Sequence, residues 1–206
     1  MTHPLRLKEM TPAQAAARLA AVRRLIIPAG TLEHRASHLP LGTDTIILDH
    51  LADDLSAQTG VPRSPAVKFG VHARQDEASP GVASLSRKTL HRVMNELIAA
   101  WELEAGVREV TILTAHAIEG HQEALTTIRA EGEVRVVDIF GFDFSGLLVD
   151  PSGPLHGGQL DTSLLLHLRP DLVTEGEATR QLGATPALGA RLYQFILDRI
   201  TQRWFA

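Results

Sequence analysis

A loop rich in ionisable side chains follows an apolar run near the start of the chain. The segment from Gly30 to Asp44 contains a Glu, two His, an Arg and an Asp, and residues 24–29 before it are mostly apolar. The chain has no Cys, so a metal ion would have to be held by His, Asp and Glu. Carboxylate oxygens and imidazole nitrogens are suitable ligands for Zn²⁺ and related divalent ions. The loop therefore indicates a candidate metal site.

Glu33 and Asp44 are the acidic residues of this loop. Taken alone, the pair is also compatible with a surface Glu and an Asp that merely begins a helix, where the helix dipole stabilises a carboxylate. His116 follows directly after the strongly apolar segment 110–113, and a single His in that place is often structural. We expect His121, five residues later, to lie on the next helix and face solvent.

A third polar cluster lies between Pro154 and Ser163. It contains His156, the glycine pair Gly157 and Gly158, and Asp161 at the start of a predicted helix. Two glycines permit close approach of the backbone, and a helix N-terminus can receive an anion. The chain has no serine-hydrolase Gly-x-Ser-x-Gly and no dinucleotide-binding Gly-x-Gly-x-x-Gly after a strand, so neither of those classes is supported.

Alternating strands and helices must position these residues. Apolar runs without alternation predict buried strands, and capping residues and helical periodicity predict the helices between them. The predicted strands cover residues 25–27, 66–70, 110–113 and 134–140. The predicted helices cover about 11–22, 43–57, 86–106, 119–130, 160–168 and 185–203. This order predicts one α/β domain over residues 1–206, a three-layer α/β/α sandwich with a mostly parallel sheet, whose ligands bind beyond the carboxyl ends of the strands.

Composition narrows the classes of function. The chain has 206 residues and a net charge of −4, with 44% hydrophobic and 21% charged residues, as is ordinary for a globular protein. The lack of a basic patch argues against nucleic acid as a partner. No stretch of about 18 apolar residues predicts a membrane span, and no signal peptide is evident, so we expect a cytoplasmic protein without a membrane partner.

Four separated segments resemble motifs of the creatininase family of metal-dependent amidohydrolases. The first and fourth of the segments named below are specific matches, and the order and spacing of all four along the chain argue against a chance resemblance. The segments are Gly30–Asp44, Ser79–Leu85, Thr114–His116 and His156–Ser163, and Ala184–Pro186 also fits the start of the last helix.

The resemblance implies a compact α/β sandwich, assembled as a hexamer, with a metal pair that opens cyclic amides by water attack. Carried over by position, Glu33, Asp44 and His116 match the ligands of one metal. Arg35 stands where the family has a His ligand of the second metal, and Ile118 stands where creatininase itself has a further carboxylate. Arginine has only donors and stays protonated, so it cannot bind a metal.

Other departures affect the same half of the site. Thr114 replaces the Asn of the family's Asn-Gly-His, and Asp76 replaces a His expected shortly before Pro80. Asp161 replaces a family Glu with a shorter acid, while His156 matches a His linked to substrate handling or proton transfer.

We therefore expect a hydrolase with one divalent metal, Zn²⁺ first and Mn²⁺ or Fe²⁺ as alternatives, acting on a cyclic amide or a related small substrate with a C–N bond. The expected metal ligands are Glu33, Asp44 and His116, the expected catalytic residues are His156, Arg35 and Asp161, and the expected substrate-binding residues are His38, Gly157 and Gly158. A sugar- or inositol-ring hydrolase of the same family would share this metal site.

The alternative is a binding or structural protein that keeps the fold but has lost hydrolysis, with Arg35 neutralising acids left in a disused site. In both cases a homo-oligomer is expected. Apolar residues of the last helix and tail exceed one helix face, although they could also close the core of a monomer: Leu192, Phe195, Ile196, Ile200, Trp204 and Phe205.

Overall fold

The computed structural model describes residues 3–73, 80–150, 156–174, 176 and 180–205. The strands are β1 (Arg24–Pro28), β2 (Glu109–Thr114) and β3 (Glu133–Asp138). The helices are α1 (Pro12–Val22), α2 (Thr43–Thr59), α3 (Arg87–Ala105), α4 (Glu119–Thr126), α5 (Gln159–Leu168) and α6 (Pro186–Trp204). Short 3₁₀ helices cover Leu7–Glu9 and Pro170–Leu172.

The sheet is parallel, with the strand order β1-β2-β3. Pro28 pairs with Leu113, and Leu113 pairs with Val137, so the strands end at the same edge of the sheet. The strand predicted over residues 66–70 is not formed. Val67 instead makes one isolated parallel bridge to Ala29, on the side of β1 away from β2.

Alternate strand residues divide the core into two layers. Leu25, Ile27 and Ile112 pack on one face of the sheet with buried residues of α1, α3 and α4. Ile26 and Val137 pack on the other face with α2, α5 and α6. Because strand side chains alternate between the two faces, β1 can contribute to both layers with an unbroken apolar sequence. The predicted three-layer α/β sandwich is confirmed.

Local signals explain the helix boundaries. Thr11 and Gln14 form a capping box at α1, and Ser86 and Thr185 accept hydrogen bonds from backbone amides at the starts of α3 and α6. Gly60 and Gly106 end α2 and α3 in the left-handed conformation, which a residue without Cβ adopts freely.

The last helix serves the core of the single chain. Leu192, Ile196 and Ile200 are fully buried, and Phe195, Trp204 and Phe205 are partly buried against the same layer. These residues therefore give the expected oligomer no support of their own. Among the described helices, none is both long enough and apolar enough to cross a membrane.

Candidate functional site

The segments that leave the carboxyl ends of β1 and β2 meet at one edge of the sheet. Ala29 and Gly30 continue from β1 by hydrogen bonds to Leu113 and Val67, and this places the following loop against the end of β2. Gly30 packs so closely on α2 that a Cβ there would lie 2.7 Å from Thr45 Oγ1. The loop therefore runs under the N-terminus of α2 and directs its side chains toward His116.

Glu33 lies at the centre of the site and is only 2% exposed. One carboxylate oxygen, Oε1, is 2.7 Å from Arg35 Nε and 3.1 Å from His116 Nδ1. Burial alone would raise the pKa of Glu33, but hydrogen bonding to His116 and His72 and the charge of Arg35 outweigh it and lower the pKa. Glu33 is therefore an ionised carboxylate at neutral pH.

Arg35 is completely buried and surrounded by acids. It pairs with Glu33, forms a direct ion pair with Asp44 through Nη2, and has Nη1 4.0 Å from Asp161 Oδ2. Nη2 also donates to the Ala115 carbonyl at 2.6 Å. Nε and Nη1 nevertheless lack a hydrogen-bond acceptor in good geometry within the described part of the chain. The guanidinium therefore lies among the acids that were expected to bind metal.

Asp44 lies in the first turn of α2, with both oxygens engaged. Oδ1 pairs with Arg35, and Oδ2 accepts a hydrogen bond of 2.6 Å from Thr31 Oγ1. Its burial raises the pKa despite the charge of Arg35. His116 Nδ1 is 3.8 Å from Oδ2. Asp44 is thus beside the predicted co-ligands, but each of its oxygens already accepts one hydrogen bond, from Arg35 or from Thr31.

His116 is buried directly after β2, and both of its ring nitrogens face acceptors, the Val71 carbonyl and the Glu33 carboxylate. Nε2 is 2.8 Å from the Val71 carbonyl, which can only accept, so Nε2 carries a hydrogen. In the neutral ring the free lone pair is then on Nδ1, which faces Glu33. A backbone carbonyl that fixes a His in this way is a common feature of metal ligands.

His121 lies on α4 as expected, but the expectation that it faces solvent was wrong. His121 is fully buried, with Nε2 3.1 Å from Thr114 Oγ1 and Nδ1 accepting from the Val71 amide at 3.3 Å. Burial and the neighbouring His116 lower its pKa to about 3. Its helix begins close behind the sheet edge, so the ring turns inward and packs edge-to-face on His116 at 5.0 Å.

His72 belongs to the site and was missed by the sequence reasoning. It is buried, with Nδ1 3.4 Å from Glu33 Oε2, and its ring packs edge-to-face on His116. Burial opposes protonation, but the hydrogen bond and charge of Glu33 raise the pKa of His72. Its position just after the apolar segment 66–70 was the available signal. Asp76, expected to replace a family His, lies outside the described residues.

His156 and Asp161 approach from the turn before α5. His156 Nδ1 is 3.9 Å from Glu33 Oε1, and burial and the charge of Arg35 lower the pKa of this His to about 4, which leaves the ring neutral. Asp161 Oδ2 accepts from the Gly157 amide at 2.8 Å, while Oδ1 has no hydrogen-bond partner among the described residues. Burial raises the pKa of Asp161 to about 7.

The expected substrate-binding residues are less closely grouped. Gly157 has a φ of 68° and packs on the site loop, where a Cβ would lie 2.6 Å from Ala36 Cβ and 2.9 Å from the Arg35 carbonyl oxygen. Gly158 is the N-cap of α5. His38 is buried with Nε2 2.9 Å from Thr162 Oγ1, so its ring contacts α5.

One group in the described part of the chain could hold a metal ion. Glu33, His116 and His156 each offer a ligand atom, and these atoms lie within 4.8 Å of one another. Three buried carboxylates, Glu33, Asp44 and Asp161, face the single guanidinium of Arg35. Buried charge that is not balanced is costly, and burial accordingly raises the pKa of Asp44 and Asp161, so the site has donors and acids that suit a cation.

Comparisons with known proteins agree with this arrangement. The family model for creatininase, described as creatinine amidohydrolase, matches residues 8–192. The chain is 27% identical to the creatinine amidohydrolase of Pseudomonas putida over 171 residues, which is 72% of this chain and 65% of that protein. It is 30% identical to the mycofactocin precursor peptide peptidase of Mycobacterium tuberculosis (strain CDC 1551 / Oshkosh) over 166 residues, 73% of this chain and 61% of that protein.

The fold agrees as well. A solved structure described as creatininase Mn superposes with a TM-score of 0.76 at 22% identity, covering 98% of this chain and 99% of the other. The chain aligns with less than two thirds of the length of the two curated relatives. The match over most of the chain confirms the resemblance read from the four motifs, and the chain belongs to the creatininase family.

Proposed function

We propose that this protein is a metal-dependent hydrolase that cleaves a C–N bond in a cyclic amide or a related small substrate. The observation that carries the proposal is the convergence of Glu33, His116 and His156, whose ligand atoms lie within 4.8 Å of one another. The names of both curated relatives denote hydrolysis of amide bonds, one as an amidohydrolase and one as a peptidase. Family membership therefore supports the reaction class, and the site geometry supports the metal.

The donor set favours one divalent ion. Two imidazoles and one carboxylate are a usual set for catalytic Zn²⁺, and the same ligands accept Mn²⁺ or Fe²⁺. Glu33 and His116 keep the roles predicted for them, while His156 is a better third ligand than Asp44. Asp44 already accepts hydrogen bonds from Arg35 and Thr31, whereas the His156 ring is neutral and one-third exposed.

A bound divalent ion supplies Lewis acidity, polarising a carbonyl and lowering the pKa of a coordinated water. Arg35 keeps a fixed positive charge among the acids, at the place of a His ligand of the second family metal. Arg35 Nη1 has no hydrogen-bond partner in the described structure and lies 4.0 Å from Asp161 Oδ2, so it could donate to a substrate carbonyl oxygen. Asp161, with a pKa of about 7 and an unpaired Oδ1, can hold or release a proton near neutral pH.

His156 could instead act in proton transfer, as the sequence suggested. Its pKa of about 4 leaves the ring neutral at neutral pH, so it could accept a proton but has no imidazolium proton to donate. The roles differ in their effect. A ligand role makes His156→Ala lose bound metal, whereas a proton-transfer role makes it keep the metal and lose turnover.

A test of the function uses protein stripped with a chelator and resupplied with Zn²⁺ or Mn²⁺. Hydrolysis of creatinine, simple lactams, cyclic ureides and short peptides is followed by release of amine or carboxylate. We expect at least one of these amides to be cleaved only after metal is returned. Glu33→Gln should abolish the activity, while Glu104→Gln on the exposed face of α3 should not. Equal hydrolysis with and without metal would contradict the proposal.

One observation favours a second candidate, a fold that retains ligand binding without hydrolysis. Arg35 lies between Glu33 and Asp44 and pairs with both, as expected if the charges of a former metal site were neutralised internally. In that case the stripped and resupplied proteins would be equally inactive on every amide and would bind no metal. The same assay therefore separates the two candidates.

A further inference from the structure

We propose that His72 is an additional ligand of the cation that binds at Glu33 and His116, an inference that rests on the metal-dependent function proposed above. The residue was not among the expected ligands, and it reaches Glu33 from a different segment, 70–73, with its ring packed edge-to-face on His116. Its Nδ1 is 3.4 Å from Glu33 Oε2, whereas His116 Nδ1 is 3.1 Å from Oε1.

The hydrogen bonds of the two rings assign matching tautomers. His72 Nε2 lies 3.3 Å from the Ala83 carbonyl and His116 Nε2 lies 2.8 Å from the Val71 carbonyl, and a carbonyl can only accept. Each ring therefore carries its hydrogen on Nε2 when neutral. Each ring then presents the lone pair of Nδ1 to Glu33.

When both rings are neutral, this arrangement brings two Nδ1 lone pairs against the Glu33 carboxylate, whose Oε1 also faces Arg35 Nε at 2.7 Å. The Glu33 carboxylate is acceptor-only when ionised, and both Nδ1 atoms are acceptors in the neutral rings. His72 Nδ1 is buried without a hydrogen-bond partner in the described part of the chain. Facing lone pairs repel one another in a buried site, so a positive charge there is stabilising. A proton on one ring satisfies that ring alone, whereas a divalent cation satisfies both rings and the carboxylate at once.

The segment that carries His72 is held firmly. The His72 amide donates to Ser84 Oγ at 3.0 Å, and the Leu85 amide donates to the Gly70 carbonyl at 2.7 Å. Gly70 itself packs so tightly that a Cβ would lie 2.6 Å from both His121 Nδ1 and Thr31 Cγ2. The position of the His72 ring is thus built into the local fold rather than left to a free side chain.

His121 offers a matched control. It is a second buried His in contact with His116, but both of its nitrogens have partners within the protein, Thr114 Oγ1 and the Val71 amide. Replacing a buried imidazole that only fills space should affect metal affinity no more than replacing His121 does. Replacing a metal ligand should lower the affinity much further.

The test compares wild type, His72→Ala, His72→Phe and His121→Ala. Zn²⁺ affinity is measured by competition with a chelator, and the number of coordinated imidazoles is measured by X-ray absorption at the zinc edge. We expect His72→Ala and His72→Phe to lose at least tenfold in Zn²⁺ affinity and one imidazole from the coordination shell, since loss of a ligand or its close partner costs 10- to 100-fold or more. His72→Phe retains an aromatic ring for packing, and circular dichroism of the metal-free proteins establishes that each variant folds.

The outcomes separate the two proposals. If His72 variants keep the wild-type affinity within threefold and the same imidazole count, His72 is not a ligand, and the metal-dependent function stands. If His121→Ala loses as much affinity as the folded His72 variants, the effect is a general one of packing and the inference fails. If wild type binds no Zn²⁺ at all, the inference falls together with the metal-dependent function.

Discussion

Replacing Arg35 by Met tests how the buried charges of the site are balanced. The substitution keeps an unbranched side chain of similar reach and removes the guanidinium. In wild type this group pairs with Glu33 and Asp44 and lies 4.0 Å from Asp161, with its side chain fully buried. Without it, three buried carboxylates face one another with no cation in the metal-free protein.

The expected loss of stability is large. Removing one partner of a buried ion pair costs about 3–5 kcal/mol, because the remaining charge has neither water nor a partner. The hydrogen bond from Arg35 to the Ala115 carbonyl is lost too, which adds about 1 kcal/mol. Part of this loss is avoided when Asp44 and Asp161 take up protons, since burial already raises the pKa of both. We therefore expect a decrease of about 3 kcal/mol or more in the free energy of unfolding.

Urea denaturation at pH 8 in the presence of a chelator measures this decrease. Arg92→Met is the control, because Arg92 is 81% exposed and its pair with Glu96 on α3 should contribute less than about 1 kcal/mol. Saturating Zn²⁺ should restore stability to Arg35→Met, by about 2.7 kcal/mol at a hundredfold excess over Kd. An Arg35→Met protein as stable as Arg92→Met would refute the view that this guanidinium neutralises the site.

Three further predictions concern the residues around Arg35. Burial raises the pKa of Asp161 to about 7, so the contribution of this acid to stability is present in acid and is lost as the pH rises toward 7. In urea titrations with a chelator present, the free energy of unfolding of Asp161→Asn should therefore gain about 3 kcal/mol relative to wild type between pH 5 and pH 8. A difference that stays constant with pH would contradict this. The pKa of His121 is lowered to about 3, so its contribution to stability is lost as the pH falls below about 6.5. The difference in free energy of unfolding between wild type and His121→Gln should therefore shrink by about 2 kcal/mol from pH 7 to pH 5. Stability curves that run parallel with pH would argue against a neutral buried ring. Gly157→Ala should lower the midpoint of thermal unfolding by an amount equivalent to more than about 1 kcal/mol, because Gly157 has a φ of 68° and a Cβ there would meet Ala36. The control is Gly146→Ala, which should cost less stability because Gly146 has a φ of 87° but open space around it.

The fold followed from sequence patterns because several signals agreed. Apolar runs, capping residues such as Thr11 and Ser86, and glycine stops such as Gly106 placed the strands and α-helices of the described residues near their observed ends. The predicted strand at residues 66–70 failed because its backbone contacts β1 only at Val67, while Gly70 is drawn against His121 and Thr31. An apolar pattern indicates that a segment is buried, but it does not by itself indicate a strand, and this segment is partly buried without forming one.

The site was harder to predict than the fold. The motifs brought Glu33, Asp44, Arg35, His116 and Asp161 to one place, and the structure shows them in contact. The sequence patterns did not predict which partner each carboxylate oxygen and each imidazole nitrogen of the site contacts. Whether Asp44 binds a metal or an arginine depends on the direction in which a flexible side chain points, and that is decided by tertiary packing.

The histidines make the same point. His72 was not predicted to belong to the site, and His121 was predicted to face solvent, because their positions in the sequence carry no periodic signal. Both are buried against His116, since the segment after Val67 folds back over the end of β2. Long-range backbone contacts such as that between Val71 and His116 determine which imidazoles face Glu33, and these contacts are not encoded locally.

The metal content of the purified protein tests the central claim most directly. Protein prepared without added metal is exchanged into metal-free buffer, and bound ions are counted by mass spectrometry before and after equilibration with Zn²⁺. We predict about one divalent ion per chain for wild type and for Glu104→Gln, and a loss of that ion in Glu33→Gln, which removes the negative charge at the centre of the donor set. No bound ion in wild type after equilibration, or the same content in Glu33→Gln, would contradict a metal centre at Glu33.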